Sequence, residues 1–347
     1  MTVETTDDQA PPRRRRTRRV LLVVLLAAAV ALASTGAYVS WALGGTAEGT
    51  AVRVIIPVGA TAVGIAEILA SKDVVRSALM FRIVARFRGV GGDLKPGAYE
   101  LRTGLGVSRA IDELLEGVPL KVERFTVPEG LTVAEVAAAV AEQTHIGAGA
   151  FLRAARSGKH RIDLMPEGVT SLEGLLFPKT YEIVEDATAG EAIELMLAQF
   201  EREVEGLSFQ QAARAGLSPY EVVIVASMIE KEARLAREQP LVSSVIYNRL
   251  ARPQRLEIDA TVQYVYIVRT GKPKDPLTTD DYELDSPFNT YRIDGLPPTP
   301  IAAPGLGALR AAARPADTPY FYYRLKDERT GAHCFNETFE EHSRGCA

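Results

Sequence analysis

Hydrophobic and polar positions divide the chain into one long apolar run, several short periodic segments, and one helix-length stretch that is apolar on every side. Residues 20–43 are almost free of charge, and as a helix they reach roughly 36 Å, enough for a bilayer core of about 30 Å. The arginines just before this run predict an N-terminus inside and everything after residue 43 outside. A cleaved signal peptide, with Ala31-Leu32-Ala33 as its site, is the competing reading. The apolar run continues past that site to Trp41, an interfacial aromatic, which favours an uncleaved anchor.

After a small linker at 44–50, residues 51–56 read as a strand. Residues 62–88 follow as a helix in two pieces, residues 94–101 as a turn into a second strand, and residues 107–116 as a short amphipathic helix ended by Gly117. The opening pattern then recurs. Phe125-Thr-Val-Pro-Glu-Gly-Leu-Thr132 echoes Val54-Ile-Ile-Pro-Val-Gly-Ala-Thr61, and Thr132 with Glu135 makes a capping box for the Ala-rich helix that follows. Two copies suggest two small α/β units, although any αβ domain reuses this turn chemistry. The polar stretch 158–171 is a candidate domain boundary.

The stretch from Ser218 to Arg237 organises the rest. Ser218 and Glu221 form a capping box and Pro219 takes the first helical position. Seven of the eight residues from Val222 to Ile229 are apolar, so the helix is expected to be buried. Glu230 emerges from this run. Lost hydration raises a carboxyl's pKa and keeps it protonated, as a general acid requires. The plainer alternative is a solvated Glu230 pairing with Arg234 at i+4. Glu232 falls about 200° further round and faces away, as a surface charge or a partner behind the site. Beyond it a helix from Pro240 carries an apolar stripe to Leu250. Residues 256–303 are loop-rich, residues 306–313 form a short helix, and residues 320–324 pair with 333–336 as a hairpin.

Charge and cysteine narrow the class. The net charge is −4; six Arg against Glu4, Asp7 and Asp8 leave +3 in residues 1–19 and therefore −7 in the remainder. A basic tail on an acidic body argues for membrane topology and against nucleic acid. Cys334 and Cys346 have no zinc spacing and could close a short loop in an oxidising compartment; four scattered His make no metal set, so neither metal nor cofactor is expected.

Several motifs occur in order: Leu172-Glu-Gly-Leu-Leu-Phe-Pro-Lys-Thr-Tyr181, Ala226-Ser-Met-Ile-Glu-Lys-Glu-Ala233, Val245-Ile-Tyr-Asn-Arg-Leu250, Asp259-Ala-Thr-Val-Gln-Tyr264, Asn289-Thr-Tyr291, Gly295-Leu-Pro-Pro-Thr-Pro-Ile301, Pro304-Gly305 and His333-Cys-Phe335. In this set the chain resembles the endolytic murein transglycosylases, the YceG-like or MltG-like family. Lys179, Glu257 and Ala260 depart from the family pattern.

The resemblance implies an α+β protein: an N-terminal transmembrane helix, membrane-proximal LysM-like α/β units, then a mixed α+β catalytic domain. The expected partition is a basic tail at 1–19, an anchor at 20–43, a linker at 44–50, a LysM-like region at 51–170 and a catalytic domain at 171–347. It implies single-pass placement in the bacterial cytoplasmic membrane and cleavage of nascent peptidoglycan strands between N-acetylmuramic acid and N-acetylglucosamine. It makes glycan strands the substrate and peptidoglycan synthases candidate partners.

The family's catalytic Glu falls on Glu230. One carboxyl suffices if the C6 hydroxyl of the muramic acid attacks its own C1, leaving a 1,6-anhydro end; ordinary glycosidases use two. Candidate glycan contacts are Glu173, Ser227, Asn248, Asp259, Gln263, Asn289 and Tyr291. Structural alternatives stand beside some of them: close packing for Ser227, a helix C-cap for Asn248, an N-cap for Asp259 and a turn for Asn289. A hydrolytic muramidase and a non-catalytic glycan-binding scaffold are the alternative functions.

Overall fold

The computed structural model describes residues 13–45, 49–57, 59–116 and 121–346. The first helix, α1 (Arg13–Leu43), starts within the expected basic tail. Arginine is a good helix former, so the Arg run extends the apolar helix rather than breaking it. Residues 1–12 of that tail and the stop at Gly117 lie outside the described residues. Val23–Leu43 is long and apolar enough to cross a membrane by length and composition.

The chain divides into two compact units, residues 1–122 and 123–347. In the first, β1 (Ala51–Ile56), α2 (Ala62–Ser71), α3 (Ala78–Phe87), β2 (Gly97–Arg102) and α4 (Val107–Glu116) follow in order. Strands β1 and β2 pair antiparallel, from Ala51 opposite Arg102 to Ile56 opposite Gly97. Their alternate residues Val54, Ile56, Tyr99 and Leu101 join Ile65, Leu69, Phe81, Ile111 and Leu114 in one core. Thr61 caps α2 by accepting from the Gly64 N–H at 3.3 Å.

The second unit opens with β3 (Val122–Thr126), α5 (Val133–Gln143) and α6 (Ala148–Ala155), and continues with β4 (Thr180–Val184), α7 (Ala189–Glu205), α8 (Gln210–Arg214) and α9 (Pro219–Glu232). It closes with α10 (Gln239–Leu250), α11 (Asp259–Thr270), a 3-10 turn (Thr279–Glu283), α12 (Leu306–Ala313), β5 (Tyr322–Asp327), β6 (Ala332–Asn336) and α13 (Phe339–Arg344). The partner of β3 is β4. Val127 N–H donates to the Lys179 carbonyl at 3.0 Å, and the Thr126 and Thr180 hydroxyls meet at 2.8 Å. The repeated strand–turn–helix segment therefore draws its partner strand from beyond the expected boundary at 170 and 171. That boundary falls inside this unit.

Helix α9 is the axis of the second unit, with α8, α10, α11 and α12 packed against it. Val222, Val223, Ile224, Val225, Ala226, Met228 and Ile229 are all buried. Full burial of a side chain of this size stabilises by about 1.5–3 kcal/mol. The stretch 256–303 is less loop-like than its composition suggests. Its Thr, Val and Tyr are poor helix formers, yet they build the twelve-residue α11 because Val262, Tyr264 and Val265 bury against neighbours. The expected C-terminal hairpin is present, with Tyr322 opposite Asn336, and a disulfide joins Cys334 to Cys346.

Candidate active site

The last turn of α9 carries the polar groups. Ser218 accepts from the Glu221 N–H and the Glu221 carboxylate accepts from the Ser218 N–H, so the capping box sets the start of the helix. The helix ends at Glu232 because Ala233 turns extended, which leaves Arg234 off the helix. The i+4 pairing of Glu230 with Arg234 is therefore absent: Arg234 donates instead to the Glu328 carbonyl at 3.4 Å. Glu230 is half-buried, and its Oε2 accepts from the Gly305 N–H at 2.9 Å, just before α12. Burial pushes the Glu230 carboxyl above its ordinary range and the charge of Glu129 adds to this, while the Gly305 N–H and Lys231 pull it back.

A strip of backbone at 301–305 ties this end together. Ser227 is fully buried on the same face as Glu230, three residues earlier. Its hydroxyl donates to the Ile224 carbonyl at 2.7 Å and accepts from the Ile301 N–H at 3.0 Å. Ala303 exchanges two bonds with the loop after β3: Gly130 N–H to the Ala303 carbonyl and Ala303 N–H to the Leu131 carbonyl, both 2.8 Å. Lys231 Nζ donates to the Gly130 carbonyl at 3.1 Å. The strip passes Gly174, whose φ of +77° and close approach to Pro300 leave no room for a β-carbon.

Glu232 points the other way, as the helical period requires, but it is no surface charge. Its Oε1 accepts from the Ala260 N–H at 3.4 Å, in the first turn of α11, and its Oε2 from the Tyr323 hydroxyl at 3.1 Å. Burial and then the charge of Asp259 raise its carboxyl, against the Tyr323 and Ala260 donors. Asp259 accepts in turn from the Tyr291 hydroxyl at 2.6 Å, and the Tyr291 ring lies 4.3 Å from that of Tyr282. The end of α9 therefore presents one carboxyl toward α12 and another toward α11.

The remaining candidates have other neighbours. Asn289 is fully buried; its amide donates to the carbonyls of Tyr282 and Leu284 and its oxygen accepts from the Tyr291 N–H. It shapes the loop that carries Tyr291. Asn248 sits inside α10 rather than at its C-cap, and its amide donates to the carbonyls of Thr318 and Tyr320. Asp259 is the first residue of α11 and makes no cap bond; Ile258 takes the cap position. Gln263, one turn on, is half-buried. Glu173 is buried beneath the second turn, accepting from the Val133 N–H at 2.9 Å and the Tyr264 hydroxyl at 3.1 Å. Burial pushes its carboxyl up to about 7. Of the departures from the family pattern, Lys179 pairs with Glu203, while Glu257 takes a φ of +50° and accepts from Arg249.

Two residues outside the candidate set matter here. Arg249 is buried and donates to the carbonyls of Phe321, Arg255 and Leu256, fixing the segment that leads into α11. Glu129, in the second Pro-x-Gly turn, lies against Gly305: a β-carbon placed on Gly305 would fall 1.9 Å from Glu129 Oε1. Only the repeated turn hinted at Glu129, since its neighbour in space is far away in sequence.

Comparison with known proteins places the chain among similar sequences and structures. An endolytic murein transglycosylase of Bacillus subtilis is 32% identical over 309 residues, 85% of this chain and 84% of that protein. One from Streptococcus pneumoniae is 27% identical over 85% of this chain and 58% of its own length. A crystal structure of a Listeria monocytogenes protein described as YceG-like superposes with a TM-score of 0.55 at 28% identity, covering 86% of this chain and 99% of that one. Residues 54–347, which include both polar ends of α9, match the YceG-like family model, and the chain belongs to that family.

Proposed function

We propose that the chain is an endolytic peptidoglycan transglycosylase and that Glu230 is its single acid and base. The relatives in two genera carry that activity in their names. The observation that carries the residue assignment is the Glu230 carboxyl: half-buried, pushed toward its protonated form, and oriented by the Gly305 N–H at the end of an apolar helix. Glu230 gives its proton to the glycosidic oxygen as the bond from C1 of N-acetylmuramic acid breaks, releasing the 4-hydroxyl of N-acetylglucosamine. The C6 oxygen of the same muramic acid bonds to C1, and its proton passes to the Glu230 carboxylate. No water enters and the enzyme returns to its starting state.

Tyr291, Asp259 and Gln263, on the Glu232 side of the helix end, are candidates to meet sugar hydroxyls and amides away from Glu230. Ser227, Asn248, Asn289 and Glu173 are engaged in the internal bonds described above and act by holding the surrounding segments. The membrane-proximal part of 51–170 acts as a LysM-like glycan-binding unit and the part beyond residue 122 joins the second unit. Helix α1 anchors the chain with its N-terminus inside, and the body works outside beside the synthases whose strands it terminates. The Cys334–Cys346 disulfide supports an oxidising, external location.

The test is mass spectrometry of glycan strands digested by the full-length protein in detergent. Anhydro-muramic ends are expected, and Glu230→Gln lowers their rate by about 10²–10⁴-fold. Hydrated reducing ends identify a muramidase instead. If digestion is absent in wild type as well, the protein is a scaffold.

A further inference from the structure

Glu129 is a carboxyl with no structural employment. It is exposed, and among the described residues it makes no hydrogen bond or ion pair. The capping box next to it uses Glu135 instead. Yet the residue that follows it is tied to the site. Pro128 precedes it, and Gly130, at φ +78°, is bonded to Ala303 and receives Lys231 Nζ on its carbonyl. Gly130 also lies under the helix end: a β-carbon there would meet Lys231 Cδ at 3.7 Å and Glu230 Cγ at 3.9 Å. The Glu129 carboxyl reaches from this clamp to the one residue, Gly305, whose N–H holds Glu230. Gly305 has an ordinary extended conformation, with φ −75° and ψ 170°, so its backbone does not demand glycine. The space it leaves is filled by Glu129.

We infer that Glu129 is a positioning residue of the site, an anion seated beside Glu230 that holds it in the acid form needed to protonate the leaving glycosidic oxygen. This rests on the reading of Glu230 as the acid. Two like charges at close range disfavour a second ionisation, and the effect of Glu129 on Glu230 has that sign. The other charges around α9 leave it little competition. Lys231 favours the anion, but its ammonium is engaged with Gly130. Asp259 of α11 acts on Glu232, Arg249 of α10 is turned to residues 255–257 and 321, and Arg310 of α12 and Arg214 of α8 are exposed.

The experiment is the pH dependence of strand cleavage by the full-length protein, for wild type, Glu129→Gln and Glu129→Asp, with Glu230→Gln as reference. Activity of a general acid falls as pH rises through its pKa. Removing the neighbouring charge moves that fall in kcat to lower pH by about 0.5–1 unit, so Glu129→Gln is about three- to tenfold slower on the basic side, with KM little changed. Glu129→Asp, which keeps the charge, recovers part of the shift. A Glu129→Gln profile that keeps the wild-type midpoint, at whatever rate, overturns the inference. If wild type is active and Glu230→Gln is not, that result leaves the reading of Glu230 standing; if wild type forms no anhydro ends, it is the reading of the site that fails. Should Glu129→Gln fold poorly, Gly305→Ala serves in its place. Its methyl displaces the Glu129 carboxyl without removing it; the same downward shift is expected, and an unmoved midpoint again overturns the inference.

Discussion

Twice the chain leaves a strand through Pro-x-Gly-x-Thr, and the two turns keep different company. The first runs from Pro57 to Thr61; its glycine has φ +81°, and among the described residues nothing lies within 4 Å of where a β-carbon would stand. Its Thr61 caps α2 with a single bond. The second runs from Pro128 to Thr132. Its glycine has φ +78°, nearly the same, but packs on Glu230 and Lys231. Its Thr132 sits in a complete capping box, and the Val133 N–H at the start of α5 is met by Glu173 from forty residues away. The local chemistry of the turn is shared. The difference is in what the surrounding chain brings to it: at the second turn an acidic residue stands in place of Val at the second position, and the backbone strip at 301–305 comes alongside.

The largest test of this contrast is Glu173, a buried carboxyl that among the described residues serves the second turn and not the first. Its carboxyl stands at about 7 in the folded protein against 4.5 for the free side chain, with burial as the cause. A raised carboxyl supports stability below its unfolded value and loses that support as pH rises through its folded value. Wild type is therefore expected to lose about 3 kcal/mol between pH 4 and pH 8 through this group. Glu173→Gln abolishes that component. Hydrogen exchange of residues 133–143, corrected for intrinsic rates, measures it; a wild-type slope that survives in the variant contradicts the assignment.

A smaller effect separates the two glycines. Alanine in a left-handed conformation costs about 1–2 kcal/mol at either position. Gly59→Ala and Gly130→Ala should thus destabilise their own units alike, while only Gly130→Ala slows strand cleavage, by severalfold in kcat. Equal losses of activity would mean that the first turn also serves the chemistry. The smallest effect concerns the caps. Thr61→Ala and Thr132→Ala each cost about 1 kcal/mol, with Thr132→Ala the larger because its hydroxyl both accepts from the Glu135 N–H and donates to the Glu135 carboxylate. Exchange protection at the first turns of α2 and α5 reads the difference.

Sequence made some of this legible and hid the rest for identifiable reasons. Helix α9 was visible because its cap, its proline and its apolar run are all local. The hairpin and the two pieces of helix over 62–88 were visible for the same reason. Helix α11 was obscured because Thr, Val and Tyr favour strands, and burial of Val262 and Tyr264 overrides that preference. The helical period correctly turned Glu232 away from Glu230. It could not say that the first turn of α11 and Tyr323 would be waiting there, since those residues arrive from 28 and 91 positions further along. The neighbours of Glu129 are hidden in the same way, and so is the buried Arg249, which reads as an ordinary charge near a helix end until its carbonyl partners are known.

The bond from the Gly305 N–H to Glu230 has a practical consequence. An amide proton is deshielded when its acceptor gains negative charge, so the Gly305 resonance should travel as Glu230 ionises. With selectively labelled glycine, one backbone signal would then trace the titration of the Glu230 carboxyl directly, without substrate or turnover. It would also register, as an offset in the midpoint, any charge or sugar brought up beside it.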